Sequence, residues 1–73
     1  STPNASEILD MLPYDTEINN SPVFLFIQRS AVGYWSMGYR YPADNHAIVF
    51  VSEHLETACA DLWLWCKANN LIK

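Results

Sequence analysis

Two histidines, His46 and His54, stand close in sequence to Asp44, Glu53 and Glu56. Imidazoles and carboxylates are zinc ligands, but a zinc site needs several of them converging on one point. The spacing here matches no zinc-ligand pattern, and Glu53 and His54, adjacent on a helix, point apart. These groups read as solvated polar residues at element ends, and no metal or cofactor is expected. A Cys–His nucleophile fares no better. His54 and Cys59 are separated by about 140° around a helix, and His46 could reach a cysteine only through tertiary folding. Gly33 and Gly38 are the only glycines, which leaves no glycine-rich phosphate loop. The carboxylates of Asp10, Asp15, Glu17, Asp44 and Asp61 fall on scattered polar positions. The chain is therefore expected not to be an enzyme.

Binding chemistry has more material. Tyr34, Trp35, Tyr39 and Tyr41 crowd one short stretch, and Trp63 and Trp65 lie further on. Aromatic rings exposed on a sheet are how single-stranded nucleic-acid binders stack bases. Such platforms come with a basic groove, and only Arg29 and Arg40 are near, so most of these rings read as core and cross-strand packing. The two arginines could be neighbours across a hairpin and bind an anion. The simpler reading is that they pair with acidic groups and lay their stems over apolar surface.

The totals narrow the classes. Seventy-three residues make one domain, 1–73, with a thin folding margin. Hydrophobic residues are 51% and charged residues 16%, so the chain is too apolar for disorder and undercharged for a soluble domain. That balance implies exposed apolar surface and hence self-association or a partner. The net charge of −4 disfavours nucleic acid and anionic membranes. No run approaches the ~20 apolar residues of a membrane span, and no charged-then-apolar leader is seen. Cys59 and Cys66, on one helix, have Cα atoms roughly 10 Å apart, whereas a disulfide needs about 4.4–6.8 Å. They read as reduced core residues of a cytoplasmic protein.

The elements follow from periodicity. Asn4 with Glu7 is a capping-box pattern; Ile8, Leu9 and Leu12 share a face, and Pro13 stops this short helix. Tyr14 to Pro22, rich in turn formers, reads as a connection. Val23 to Arg29 is a strand apolar on both faces, which should therefore both be covered. Ser30 to Gly33 turns the chain, with Gly33 available for a positive φ. Tyr34 to Tyr41 alternates as a half-exposed strand does, and Ala47 to Val51 is a third, β-branched strand. Ser52 is placed to cap a helix from Glu53 to about Asn69, with Leu55, Ala58, Cys59, Leu62 and Cys66 on its buried face. The expected fold class is α+β in the order α-β-β-β-α. A three-stranded antiparallel meander carries the long C-terminal helix, and the short N-terminal helix covers the second face or packs beside the long one.

Asn4-Ala5-Ser6-Glu7-Ile8-Leu9 ending in Leu12-Pro13, Tyr34-Trp35 in a central strand, and Leu55-Glu56-Thr57-Ala58 with Leu62-Trp63 carry a resemblance. Together they resemble the small α-β-β-β-α proteins of bacteriophage and prophage reading frames, sandwich types included. The resemblance implies a non-enzymatic accessory or host-interaction role and carries over no active-site residue. The element order is also similar to that of a double-stranded-RNA-binding domain, whose last helix opens with basic residues where this chain has Glu53, His54 and Glu56. The strands followed by Ser52 and Leu55 to Ala58 look like the antitoxin half of HicB-type pairs, without the tail that carries its DNA-binding module.

One last expectation concerns the long helix. With Leu55 as zero, Cys59, Leu62 and Cys66 fall within roughly 40°, Trp63 and Trp65 flank them at about 80° on either side, and Leu64 lies opposite. Apolar flanks and an apolar back call for a second covering surface. A homodimer with Trp63 or Trp65 and Leu64 at the contact is expected, unless the first helix covers that surface.

Overall fold

The computed structural model describes residues 3–43 and 45–72. The chain runs α1 (Ala5–Met11), β1 (Asp15–Ile18), β2 (Ser21–Arg29), β3 (Trp35–Arg40), β4 (His46–Ser52) and α2 (Leu55–Ala68). The fold is α+β with helices at both ends, but the sheet is a four-stranded antiparallel meander in the order β1-β2-β3-β4. The expectation of three strands is corrected by β1. Within Tyr14 to Pro22, Asp15-Thr16-Glu17-Ile18 pairs with β2, with Ile18 opposite Ser21 and Asp15 opposite Phe24. The physical reason is the Asn19-Asn20 pair, at φ 55° and 66°. Two successive left-handed residues make the tight hairpin turn whose twist matches that of the flanking strands, and Asn tolerates that region better than other side chains.

The other boundaries follow local chemistry. Asn4 and Glu7 form the reciprocal capping box, with Glu7 N donating to Asn4 Oδ1 at 2.9 Å and Asn4 N to Glu7 Oε1 at 3.0 Å. Leu12, just before Pro13, is already extended, as a residue preceding proline tends to be. Between β2 and β3, Gly33 takes φ 92° and its N–H donates to Ser30 O at 3.1 Å. The N-cap of α2 is His54 rather than Ser52, so the helix opens two residues later than expected. Ser52 Oγ instead accepts from the His54 N–H at 3.1 Å, holding the bend between strand and helix. Glu53 thus precedes the helix, leaving Glu56 as the acidic group of its first turn.

One core joins both helices to one face of the sheet. It comprises Ile8 and Leu12, then Val23, Met37 and Tyr39, then Ala58, Cys59, Leu62 and Cys66. Register places the sheet members on one side, with Leu25 opposite Tyr39 opposite Ile48, and Met37 opposite Phe50. The first helix therefore packs beside the second, and the other face of β2 is left uncovered by helices, against the expectation that both would be covered. Buried polarity in the core is matched to partners. The Tyr39 hydroxyl donates to Pro13 O at 3.0 Å, and the Cys59 thiol donates to Met37 Sδ at 3.3 Å. Both cysteines are free thiols.

Replacing Asn20 by glycine should hold or raise the urea midpoint, whereas Asn20→Val should cost about 1–2 kcal/mol, because a β-branched side chain resists the left-handed region. Equal stability of the two variants would show that β1 does not depend on this turn.

Burial pushes the Cys59 thiol up, helped by the charge of Glu56, and pushes Cys66 up against a partial offset from the Tyr39 hydroxyl. The Tyr39 phenol is raised too, by burial first and then by Cys66. Raised folded-state values favour the fold fully below the unfolded thiol value of about 8.5. Above it the unfolded chain loses thiol protons before the folded chain does, so stability falls as pH rises. Thermal melts should show a midpoint flat from neutral pH to about 8 and falling beyond it, with both thiols slow toward a disulfide reagent until the chain unfolds. Fast thiol labelling at neutral pH in the folded protein would contradict this.

Candidate functional site

Alternation in the strands sends a second set of side chains to the uncovered face. Register aligns Asp15, Phe24, Arg40 and His46 in one row across β1 to β4. A second row holds Phe26, Gly38 and Val49, and a third Gln28, Ser36 and Val51. Phe24 is 38% exposed and Val51 57%, while Phe26 is only 8% exposed although no helix covers it.

Phe26 is shielded from within its own face. The His46 ring stacks on it with centroids 4.7 Å apart and planes 13° from parallel. The Arg40 guanidinium lies 5.3 Å from the Phe26 centroid and 5.6 Å from that of Phe24, within cation–π range. Gly38, directly opposite Phe26, has no side chain to compete for the space. It is glycine for a second reason as well. Next to the register irregularity between Tyr39 and Arg40, the β4 backbone comes so close that a Cβ at Gly38 would overlap the Ile48 carbonyl oxygen and lie 2.9 Å from Val49 Cα. At one end of the face the Tyr34 hydroxyl donates to Glu53 Oε1 at 3.3 Å.

The residues singled out from sequence are dispersed. Tyr34, 40% exposed, belongs to the open face. Trp35 and Tyr39 have the opposite parity; Tyr39 is wholly buried in the core, Trp35 is half-buried, and Tyr41 is half-buried against the core. An aromatic surface of Tyr34, Trp35, Tyr39 and Tyr41 is therefore not formed, because the strand's alternation divides it between two faces. Arg29 and Arg40 are not neighbours: Arg29 pairs with Trp35 at one end of the hairpin and Arg40 with Phe24 at the other. Arg29 instead lies 5.0 Å from the Trp35 ring centroid. His46 opens β4 and His54 follows its far end, so the strand separates them. Asp44 lies outside the described residues. Among the described residues no group of three or more His, Cys, Asp or Glu converges as a metal site would require.

On α2, Trp63 and Trp65 are half-buried and only Leu64 stands out, at 57% exposure. Lys67 Nζ lies 4.6 Å from the Trp63 ring centroid. Trp65 lines an open cleft of about 390 Å³ with Ile18, Ala47, Asn69 and Leu71, below the helix end. Phe24, Phe26, Val49 and Val51 were not singled out as a site in the sequence, and His46 was weighed there only for metal or nucleophile chemistry. The signal for them was the apolar second face of β2 beside the small and polar second face of β3.

What the face can do is bind by shape and by flat, weakly hydrated cations over rings. Comparison with family models, with curated proteins and with solved structures gives no match. Among the described residues no helix is long and apolar enough to cross a membrane.

Gly38→Ala should lower stability by about 1–3 kcal/mol, the usual range for forced overpacking, read as a shift of the urea midpoint with the slope unchanged. A shift below about 0.5 kcal/mol, the scale of neutral surface changes, would mean that β3 and β4 can separate at this point at little cost.

Proposed function

We propose that this chain is a non-enzymatic accessory protein that acts by binding protein, with the uncovered sheet face as its contact surface. The observation that carries the reading is that Phe24, Phe26, Val49 and Val51 share one face that no helix covers, with Phe24 and Val51 exposed to water. Single exposed apolar side chains are ordinary on a surface, whereas several on one open face mark an interaction site. Arg40 and His46 add the flat cationic and aromatic groups favoured at interface centres. The resemblance to small bacteriophage and prophage proteins agrees with an accessory role, and free buried thiols agree with a reducing, cytoplasmic setting.

Nucleic acid is the weaker reading. The face holds one arginine, and its β1 side carries Asp15 and Glu17. Self-association, first expected through Trp63, Leu64 and Trp65 of α2, is better supported on the sheet, because Leu64 is an isolated exposed leucine between two half-buried indoles.

A photo-crosslinking residue in place of Phe24 should form protein adducts in cells that express the full chain, and a second substitution, Val51→Glu, should abolish them. The same probe in place of Thr57, exposed on α2, should give none. Nucleic-acid adducts at Phe24, or equal yields at both positions, would overturn the reading.

A further inference from the structure

We infer that the occupant of the open sheet face is a second copy of this chain, packed face to face about a two-fold axis parallel to the strands and midway between β2 and β3. This rests on the reading of that face as a protein contact. Such an axis sets β1 over the copy's β4 and β2 over the copy's β3 without shifting residues along the strands. The first row, Asp15-Phe24-Arg40-His46, then meets its own reverse. Asp15 faces His46 of the copy, so a carboxylate meets a ring that can donate an N–H in either charge state. Phe24 faces the copy's Arg40, placing a second aromatic ring over a guanidinium that already lies against Phe24 and Phe26 of its own chain. In the next row Phe26 faces the copy's Gly38, a ring against a residue without a side chain. Gln28 faces Ser36 in the row beyond, two groups that can hydrogen-bond.

A two-fold axis along the other direction in the plane, perpendicular to the strands, sets β1 over the copy's β1 with the strand reversed: centred on Thr16 it brings Asp15 against the copy's Glu17, and centred on the row of Phe26 it leaves Asp15 with no strand residue opposite. Of the two axes only the first brings the Asp15 carboxylate against an imidazole. Three strands taken as six residues long and the four-residue β1, about 4.8 Å apart and at about 3.3 Å per residue, give a face of roughly 350 Å². Two such faces bury on the order of 700 Å², the size of a weak, transient contact. The dimer expected is thus a weak one, with sheets about 10 Å apart as in a β-sandwich.

The test uses a coupling that one chain cannot produce by itself. Asp15 and His46 stand on the two outer strands, about 14 Å apart across three strand spacings, beyond the range at which substitutions usually interact. Sedimentation velocity of the purified full chain over roughly 10–500 µM, bracketing the micromolar range, should show the mass rising from 8.4 kDa toward twice that value. Asp15→His and His46→Asp should each weaken the dimer about tenfold, because each sets like groups opposite one another. The double variant should recover most of the loss. Phe24→Glu should abolish the dimer with the far-ultraviolet circular dichroism unchanged, and Leu64→Glu should leave it intact.

A monomer at every concentration would overturn the inference, as would additive effects of Asp15→His and His46→Asp, or a dimer that Leu64→Glu dissociates. A monomeric chain whose position 24 still crosslinks to another protein in cells would end self-docking and leave the protein-binding reading standing. A monomer without protein adducts would end both.

Discussion

A four-stranded sheet has two faces, and this chain has helix enough for one. Four strands are about 19 Å across. Two helices packed side by side at 8–10 Å cover about that width once. Both helices join the same core, α1 through Ile8 and Leu12 and α2 through Cys59, Leu62 and Cys66. Nothing among the described residues is left to form a third layer. Splitting the helices between the faces would strand the seven-residue α1 alone on a sheet, where so short a helix has little stability of its own. Packed beside α2, it gains a neighbour on its flank, and the cost is transferred to the opposite face of the sheet.

That cost explains the composition of β2 to β4. A fully apolar open face would expose a contiguous patch and invite aggregation. Here the most buried ring on the open side, Phe26, is covered by groups that keep one surface in contact with water. Arg40 and His46 lay flat faces on rings, and His46 remains exposed to water. Gly38 lets the rings settle onto the backbone, and Ser36 and Gln28 keep the next row polar. Phe24, partly under Arg40, and Val51 stay exposed on either side of that cluster. The face is thus half protected: Phe26 is covered by its neighbours while Phe24 and Val51 remain exposed.

Much of this architecture was legible in the sequence, and the gaps have physical causes. The Asn4–Glu7 box, the stop at Pro13, the positive φ at Gly33 and the buried stripe of α2 were all read from local rules, and local contacts decide them. β1 does not follow from composition, because Asn19 and Asn20 read as generic turn formers, whereas a pair at positive φ specifies a two-residue hairpin and therefore a strand on each side. The capping difference at α2 has the same scale: Ser52 does bond a backbone N–H, but that of His54, which is itself the N-cap of a helix starting at Leu55. The open face was harder to see. Parity already separated Trp35, Met37 and Tyr39 from Tyr34, Ser36, Gly38 and Arg40. Which set was covered depended on β2, and β2 is apolar on both sides, so its pattern alone assigns no inside.

The excess of apolar residues in α2 then takes a different meaning. On a helical wheel Trp63, Leu64 and Trp65 look like a second sticky surface. In three dimensions the two indoles lie on the shoulders of the buried stripe, where a large ring can reach down to the core while its outer edge meets solvent. Trp63 gains Lys67 over its ring, and Trp65 extends the core toward Ile18 and Leu71 at the end of the helix. Wide side chains at those positions are what let a single helix cover β3 and β4 together. The breadth of the apolar stripe therefore measures the width of sheet that α2 must span, and the apolar surface that no helix among the described residues covers is on the far side of that sheet.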